Sequence, residues 1–459
     1  MPGKSISSFL ALLLAALIAT ALPSARAQQS EPAGAPEALT LPQAVAMALR
    51  HSHKLALARL SVQDSQEQKR MAQAHFYPKL SNESNVLHIT QLEGVVIPAG
   101  ALSHGTSAGL IPAETLRIDQ GADTGYTSGT GLLQPLTQLF KVHAGVRAAD
   151  ADLRSAQISE QDAEHGIALE VHQLYYNYLI EETRETAAQD AVQAARVSAQ
   201  EAGQAVQHGQ LLTNVELGSQ ANLLDKEQEA LVTKLQLDDL TLKLDDLLGL
   251  PLGTKLALSP SDLGAPPQLP TRADAMKTVL ENSPSVLEAQ QSVRKAQAGV
   301  TAARDAYIPN ITGIARYSYQ SGLPFFTHNF GTFGASFTYD LFDGGAREAK
   351  LHDAHIKLSM AQTQLAQVEN DVSIELSSAY DQEEQLQQLV NVASMALKAH
   401  QDTLRIQQQR VRVKAALPSA EAMAESDVAT AQANLLNARL SLYLAQNNIA
   451  RLLGMVVSN

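Results

Sequence analysis

In this 459-residue chain the residues whose spacing could carry chemistry are a serine, two histidine pairs and a few acids near helix turns. Gly105-Thr106-Ser107-Ala108-Gly109 spells the hydrolase nucleophile motif. That chemistry needs a strand, a sharp turn and a helix beneath the serine, with a distant histidine and acid. Here the motif sits in a loop between Pro98 and Pro112 with no apolar strand before it. His352-x-x-His355 could set two imidazoles on one helix face, and His51-x-His53 is a second pair. Neither comes with an HExxH pattern or a carboxylate cluster, so both read as solvated faces and not metal sites. The absence of cysteine excludes a disulfide scaffold, a thiolate metal site and a cysteine nucleophile. The reading is no enzyme, no cofactor and no metal.

The elements that would position anything else begin after a leader. Lys4, the apolar run Phe9 to Leu22 and Ala25-Arg26-Ala27 form a signal peptide over 1–27, cut after Ala27. Loss of Lys4 and Arg26 takes the net charge from −13 to −15. That acidic balance argues against nucleic acid or an anionic lipid surface as partner. No other apolar stretch approaches the ~18 residues a membrane helix needs. Aromatic content is only 4%, and 10 of the 20 aromatics fall in residues 307–342.

Prolines leave two long free runs, 136–250 and 325–417, which permit long helices. Within them the chain repeats itself. Tyr77-Pro78-Lys79-Leu80 aligns with Ile308-Pro309-Asn310-Ile311 at an offset of 231. Leu136 then matches Leu341, Tyr175 matches Tyr380, and Leu247-Leu248-Gly249 matches Leu452-Leu453-Gly454, all at 205. The offset changes once, inside 92–124. The expected organisation is a flexible terminus over 28–38, a first repeat over 39–250, a connector over 251–270 and a second repeat over 271–459.

Each repeat reads as helix, two strands, long helix, turn, helix. In the first, strands are expected at about 80–91 and 124–136 and helices at about 141–206 and 214–248. In the second, strands are expected at about 311–321 and 330–342 and helices at about 346–412 and 419–453. Residues 351, 358, 365, 372, 379, 386 and 393 form a seam of Leu, Val and Ala, with a companion at Ala354, Ala361, Val368, Glu375, Gln382, Leu389 and Ala396. Seven heptads predict coiled-coil packing, and the polar Glu375 and Gln382 predict a seam that meets water on one side. Tyr317, Tyr319, Phe333, Phe337 and Tyr339 alternate with polar residues at period two, as on a lipid-facing barrel wall. A small soluble sheet with an aromatic core is the alternative on the strands alone.

The order of these elements, the phrase Tyr339-Asp340-Leu341-Phe342-Asp343-Gly344-Gly345, Pro135-Leu136 in the first repeat, and Ala-x-x-x-Tyr/Phe-x-Pro-x-Leu/Ile at Ala72–Leu80 and Ala303–Ile311 resemble the TolC-like outer-membrane efflux family over residues 39–455. The resemblance implies a mainly α fold with a transmembrane β-barrel. It implies a homotrimer with a twelve-strand barrel in the outer membrane and a twelve-helix tube reaching into the periplasm. The implied function is the outer-membrane channel of a tripartite efflux or type I secretion system, partnered by a periplasmic adaptor and an inner-membrane pump. The 92–124 loop would lie outside the cell.

In that family the distal helix turns dock the adaptor and close the pore. The matching residues are Gly209, Leu211, Leu212, Thr213 and Asn214 in the first repeat, and Ala415, Ala416, Leu417, Pro418 and Ser419 in the second. Gly209 keeps the family's tip glycine, while Lys414 stands where the second would be. The family's aspartate after the turn is missing, so Glu216, Glu421 and Glu425 are the candidate pore-gate acids. Mere helix capping by Asn214 and Ser419 is the competing reading. At the level of the whole chain, a periplasmic or surface coiled-coil protein without a pore explains the helices but not the aromatic strands. A secreted hydrolase rests on Ser107 alone. The cargo, whether drug, metal or protein, is not written in the chain.

Overall fold

The computed structural model describes residues 39–88, 90, 94–102, 112–118, 124–259, 267–322 and 327–455. The leader, residues 28–38, Gly105–Gly109 and part of the connector lie outside the described residues. In order, the chain forms α1 (Leu41–His51), α2 (His53–Ala74), β1 (Lys79–His88), β2 (Val95–Ile97), β3 (Leu116–Ile118), β4 (Thr124–Pro135), α3 (Leu139–Gln207) and α4 (Thr213–Leu248). It continues as α5 (Arg272–Asn282), α6 (Pro284–Asp305), β5 (Asn310–Ser321), β6 (Asn329–Thr338), α7 (Ala346–Arg412) and α8 (Pro418–Leu452). The protein is mainly helical, and no described helix is long and apolar enough to cross a membrane.

The helices α3 and α7, of 69 and 67 residues, are each about 100 Å long at ~1.5 Å per residue. Toward the sheet, α3 packs on α2 and α6, and α7 on α6; at the far end α3 packs on α4 and α8, and α7 on α8. The four long strands make one antiparallel sheet, ordered β1-β4-β5-β6, which leaves β1 and β6 as free edges. Within the 92–124 segment, β2 and β3 pair as a small separate sheet.

Two cores sit midway along the long helices. In one, α1 lays Leu41, Val45 and Ala48 against Val171, Tyr175 and Leu179 of α3. In the other, α5 lays Ala275 and Val279 against Val372 and Leu376 of α7 and Ile449 of α8. The second core corrects the expected seam. Leu351, Ala354, Leu358, Ala361, Leu365 and Val368 all turn inward, but Glu375 and Gln382 are exposed. From Val372 the companion row runs instead through Leu376, Glu383, Val390 and Leu397. Two successive steps of four, Val368 to Val372 to Leu376, are a stutter, which locally unwinds a coiled coil. It falls where α5 docks, and there the Tyr380 hydroxyl donates to the Pro270 carbonyl at 2.9 Å and Arg272 pairs with Asp381 at 2.7 Å.

Candidate functional site

The sheet has two unlike faces. One row runs Leu80, Leu132, Ala315, Phe333; on the same face lie Tyr317, Tyr319 and Phe337. Phe333 and Phe337 are 92% and 68% exposed, with nothing among the described residues covering them. The opposite face carries Ser81, Gly131, Arg316 and Thr332 in one row and Glu83, Gly129, Ser318 and Phe330 in the next. A Cβ on Gly129 would collide with the Arg316 guanidinium, so the glycine is the seat on which that cation lies. The aromatic face is interrupted at the β1 edge. There Asn82 donates to Thr130 at 2.9 Å, Ser84 donates to Asn82 at 2.9 Å, and Ser84 and Ser128 share a bond of 2.9 Å. This small polar group meets its own hydrogen-bonding needs.

Tyr339 lies beyond the end of β6, in the elbow that joins sheet to helix, and the elbow explains the Tyr-Asp-Leu-Phe-Asp-Gly-Gly phrase. Gly344 and Gly345 take φ of +67° and +85°, a left-handed pair that reverses the chain. The Asp343 carboxylate accepts from the Gly345 and Arg347 backbone N–H groups, each at 3.1 Å, and so caps α7. Arg347 returns its Nε to Asp343 at 2.9 Å and reaches the Asp340 carbonyl at 2.6 Å. Its guanidinium carbon lies 5.6 Å from the Tyr307 ring centroid and 5.0 Å from that of Tyr339, both within cation–π range. Hydrogen bonds and charge from Arg347 hold the Asp343 carboxyl below the usual carboxylate range. Leu341 and Phe342 project outward, 89% and 88% exposed.

At the far end both turns share one geometry. Gln210 donates to the Ala205 carbonyl and Gly209 to that of Val206, closing α3 in a Schellman motif with Gly209 at φ +70°. Ala415 donates to Arg410 and Lys414 to Val411, closing α7 in the same way with Lys414 at φ +59°. Lysine therefore holds the left-handed position that glycine holds in the other turn. The capping expectation for Asn214 and Ser419 is corrected. The N-cap residues are Leu212 and Leu417, and neither supplies a side-chain bond. The residues after them, Thr213 and Pro418, open their helices, with the proline supplying the fixed φ a first turn accepts.

Leu211, Leu212 and Leu417 are 43%, 73% and 64% exposed. Beside them a groove of about 550 Å³ runs between the two turns, lined by Glu201, Ala205, His208, Leu211, Val215 and Leu417. Ala415 is exposed and Ala416 half-buried. Among the acids, Glu216 is half-buried and takes a 3.5 Å bond from Gln220, Glu421 is half-buried, and Glu425 is exposed. One acid escaped the sequence: the Glu201 carboxylate accepts from the Ser419 N–H at 3.0 Å, tying α3 to the start of α8. A contact across 218 residues leaves no local pattern to read.

Midway along the long helices, His172 is buried with its Nδ1 3.0 Å from the Asn447 amide, and burial pulls its pKa down to about 4. The T-shaped Tyr176 ring flanks it at 5.7 Å. Neither His352 nor His355 joins a group that could hold a metal among the described residues.

Residues 275–455 match the family model of the outer membrane efflux protein. No curated protein sequence matches. Among solved structures, CusC, studied for folding and transmembrane channel formation, is 18% identical with TM-score 0.72, covering 93% of this chain and 96% of its own. The outer membrane protein VceC of Vibrio cholerae is 17% identical with TM-score 0.71, covering 91% and 97%. The open-state outer membrane channel MtrE of Neisseria gonorrhoeae is 18% identical with TM-score 0.71, covering 91% and 89%. The chain thus carries an outer membrane efflux protein domain, on a fold it shares with outer-membrane channels across at least 91% of its length.

Proposed function

We propose that this protein is the outer-membrane channel of a tripartite efflux or type I secretion system, a homotrimer built from two like halves. Three copies would close a twelve-strand barrel in the outer membrane above a twelve-helix tube in the periplasm. The observation that carries this reading is the sheet. One face is aromatic, the other polar, both edges are open, and β4 and β6 each lead into a helix about 100 Å long. Four strands cannot close a membrane barrel, which needs about eight at least, so the open edges require further copies. Tyr317, Tyr319, Phe333, Phe337 and Tyr339 would meet lipid. Arg316 and Glu83 would line the water-filled bore.

The distal turns are the proposed docking surface for a periplasmic adaptor linked to an inner-membrane pump, with Leu212, Val413 and Leu417 as its most exposed large apolar residues. Glu216, Glu421 and Glu425 are the proposed gate acids, each of which becomes a ring of three in the trimer. Native mass measurement on the detergent-extracted outer-membrane fraction tests the assembly, and a stable monomer with intact strand content refutes it. Planar-bilayer recording tests the gate. Glu421→Gln should lower cation preference and block by multivalent cations, and an unchanged reversal potential and block would assign the gate to other residues.

A further inference from the structure

We propose that Arg316 is an oxyanion site in the bore, where it engages carboxylate or phosphate groups of solutes that pass through the channel. The proposal rests on the channel reading above and names a residue that selects among those solutes.

The polar face of the sheet carries few charges. Lys79 and Glu83 stand on β1 and Arg316 on β5, while β4 and β6 add none to this face. The balance is one positive charge, in a chain whose net charge is −13. A cation fixed here therefore runs against the sign of the whole molecule.

Its side chain is laid in a trough of two glycines. Arg316 faces Gly131 across β4 and β5, and its Cγ passes 3.9 Å from where a Cβ on Gly131 would be. The side chain then turns along β4, and its guanidinium carbon ends 2.8 Å from where a Cβ on Gly129 would be. Gly129 is the one buried residue of the six strands among the described residues, and the guanidinium is what covers it. Gly129 lies one row farther from the helices than Gly131, so the fork points away from the tube.

The fork itself is free. Among the described residues no acceptor reaches the guanidinium; beyond the strand ladder only the Arg316 carbonyl is engaged, by the Thr332 hydroxyl at 3.5 Å. Glu83 stands opposite Gly129 on β1, yet no ion pair joins it to Arg316. A planar guanidinium offers parallel N–H donors that match the paired oxygens of a carboxylate or phosphate. Because the trough orders the side chain before any ligand arrives, binding costs less rotamer freedom. The proposed gate acids lie at the other end of helices about 100 Å long, more than ten screening lengths of about 8 Å away. The two ends therefore act on ions independently.

Full-length protein in planar bilayers, with tripolyphosphate added on the sheet side, tests this. The probe should block the current in a saturable way, and less strongly as potassium chloride is raised. Arg316→Gln should raise the half-blocking concentration about tenfold, the loss of one charge-assisted forked bond at a wet surface. Arg316→Lys should raise it several-fold, since a point charge replaces the fork. Gly129→Ser should raise it with Arg316 still present, by filling the trough, and Glu83→Gln should lower it by removing an opposing charge. Unchanged block in Arg316→Gln overturns the proposal, and wild-type block in Arg316→Lys overturns recognition by the fork. Where the Arg316 variants fail to assemble, unchanged block in both Gly129→Ser and Glu83→Gln overturns it. A wild-type protein that passes no current overturns the channel reading instead.

Discussion

Gly249 and Gly454 end the two Leu-Leu-Gly phrases, and the structure predicts that alanine will cost more at either than at Gly253, a left-handed glycine in open space. Both close a helix in the left-handed region, at φ +71° and +66°. Forcing an L-residue there costs about 1–2 kcal/mol at either site. Both sites are also closed. A Cβ on Gly454 would stand 2.6 Å from the backbone oxygen of Asn282, at the end of α5. A Cβ on Gly249 would stand 2.7 Å from the Cγ and 2.8 Å from the Cβ of His51, at the end of α1. Rotating the imidazole leaves that Cβ in place, so it moves only if α1 moves, as the Asn282 oxygen moves only if α5 moves. Overpacking against fixed atoms adds about 1–3 kcal/mol. Gly454→Ala and Gly249→Ala should therefore each cost roughly 2–5 kcal/mol, against a backbone term of roughly 1–2 kcal/mol. Gly253→Ala, at φ +82° with nothing within 4 Å of its Cβ, isolates that backbone term. Thermal unfolding of detergent-solubilised protein followed by circular dichroism ranks the three. Equal shifts for all three would refute the steric reasoning.

Leu212→Asp or Leu417→Asp should leave folding and trimer formation intact but abolish export with pump and adaptor present; normal export by both variants sinks the docking role, and a collapsed trimer assigns these leucines to interior packing. Lys414→Gly should raise thermal stability by up to about 1 kcal/mol by releasing the left-handed strain, and a lower melting temperature would contradict that account. His172, held near 4 in the folded state against 6.5 for a free histidine, binds its proton more readily when unfolded. Stability should therefore be full above pH 6.5 and fall as the pH drops toward 4, by no more than roughly 3 kcal/mol. His172→Gln should flatten that window in melts run from pH 7.5 to 4.5, and an unchanged pH profile would show that other groups set it.

Much of the architecture is legible because it is periodic. Proline-free runs with heptad spacing specify long paired helices, and period-two alternation at 311–320 specifies strands, whichever contacts follow. The two offsets are legible for the same reason, since they compare the chain only with itself. What escapes is set by contacts between distant segments. The step at Val368–Val372–Leu376 is invisible in the heptad pattern, because it depends on where α5 lands. Glu375 looked like a polar seam residue only so long as the period was taken to be unbroken. The Arg347 cluster is half legible: the double glycine announces a turn, but nothing local says that Tyr307, Tyr339 and Asp343 converge on one guanidinium. Asn82 and Ser84, polar residues on the face that is aromatic in β5 and β6, bond to Ser128 and Thr130 on the next strand, a partnership that no local pattern announces.

The turns far from the sheet are where local rules fail together. Elsewhere helix starts follow capping chemistry: Gln43 accepts from the Thr40 N–H, Ser52 from Leu55, Thr271 from Asp274, and Asp343 caps α7. Helices α3 and α6 also begin without a side-chain cap bond, but α6 has Ser283 at its N-cap before a first-turn proline, and at α3 Thr137 bridges Pro309 and Ile311 and ties the start to the sheet. At the distal turns the N-caps are leucines, which forgo about 1 kcal/mol each relative to Ser or Asp and expose apolar surface as well. Lys414 then adds left-handed strain that glycine would avoid. A sequence that caps helices well at its middle and at its elbow does not lack suitable residues. Concentrating apolar N-caps and backbone strain at the distal turns, where Leu212 and Leu417 stand exposed, is the pattern expected where selection acts on contact with a partner and not on the stability of the turn itself.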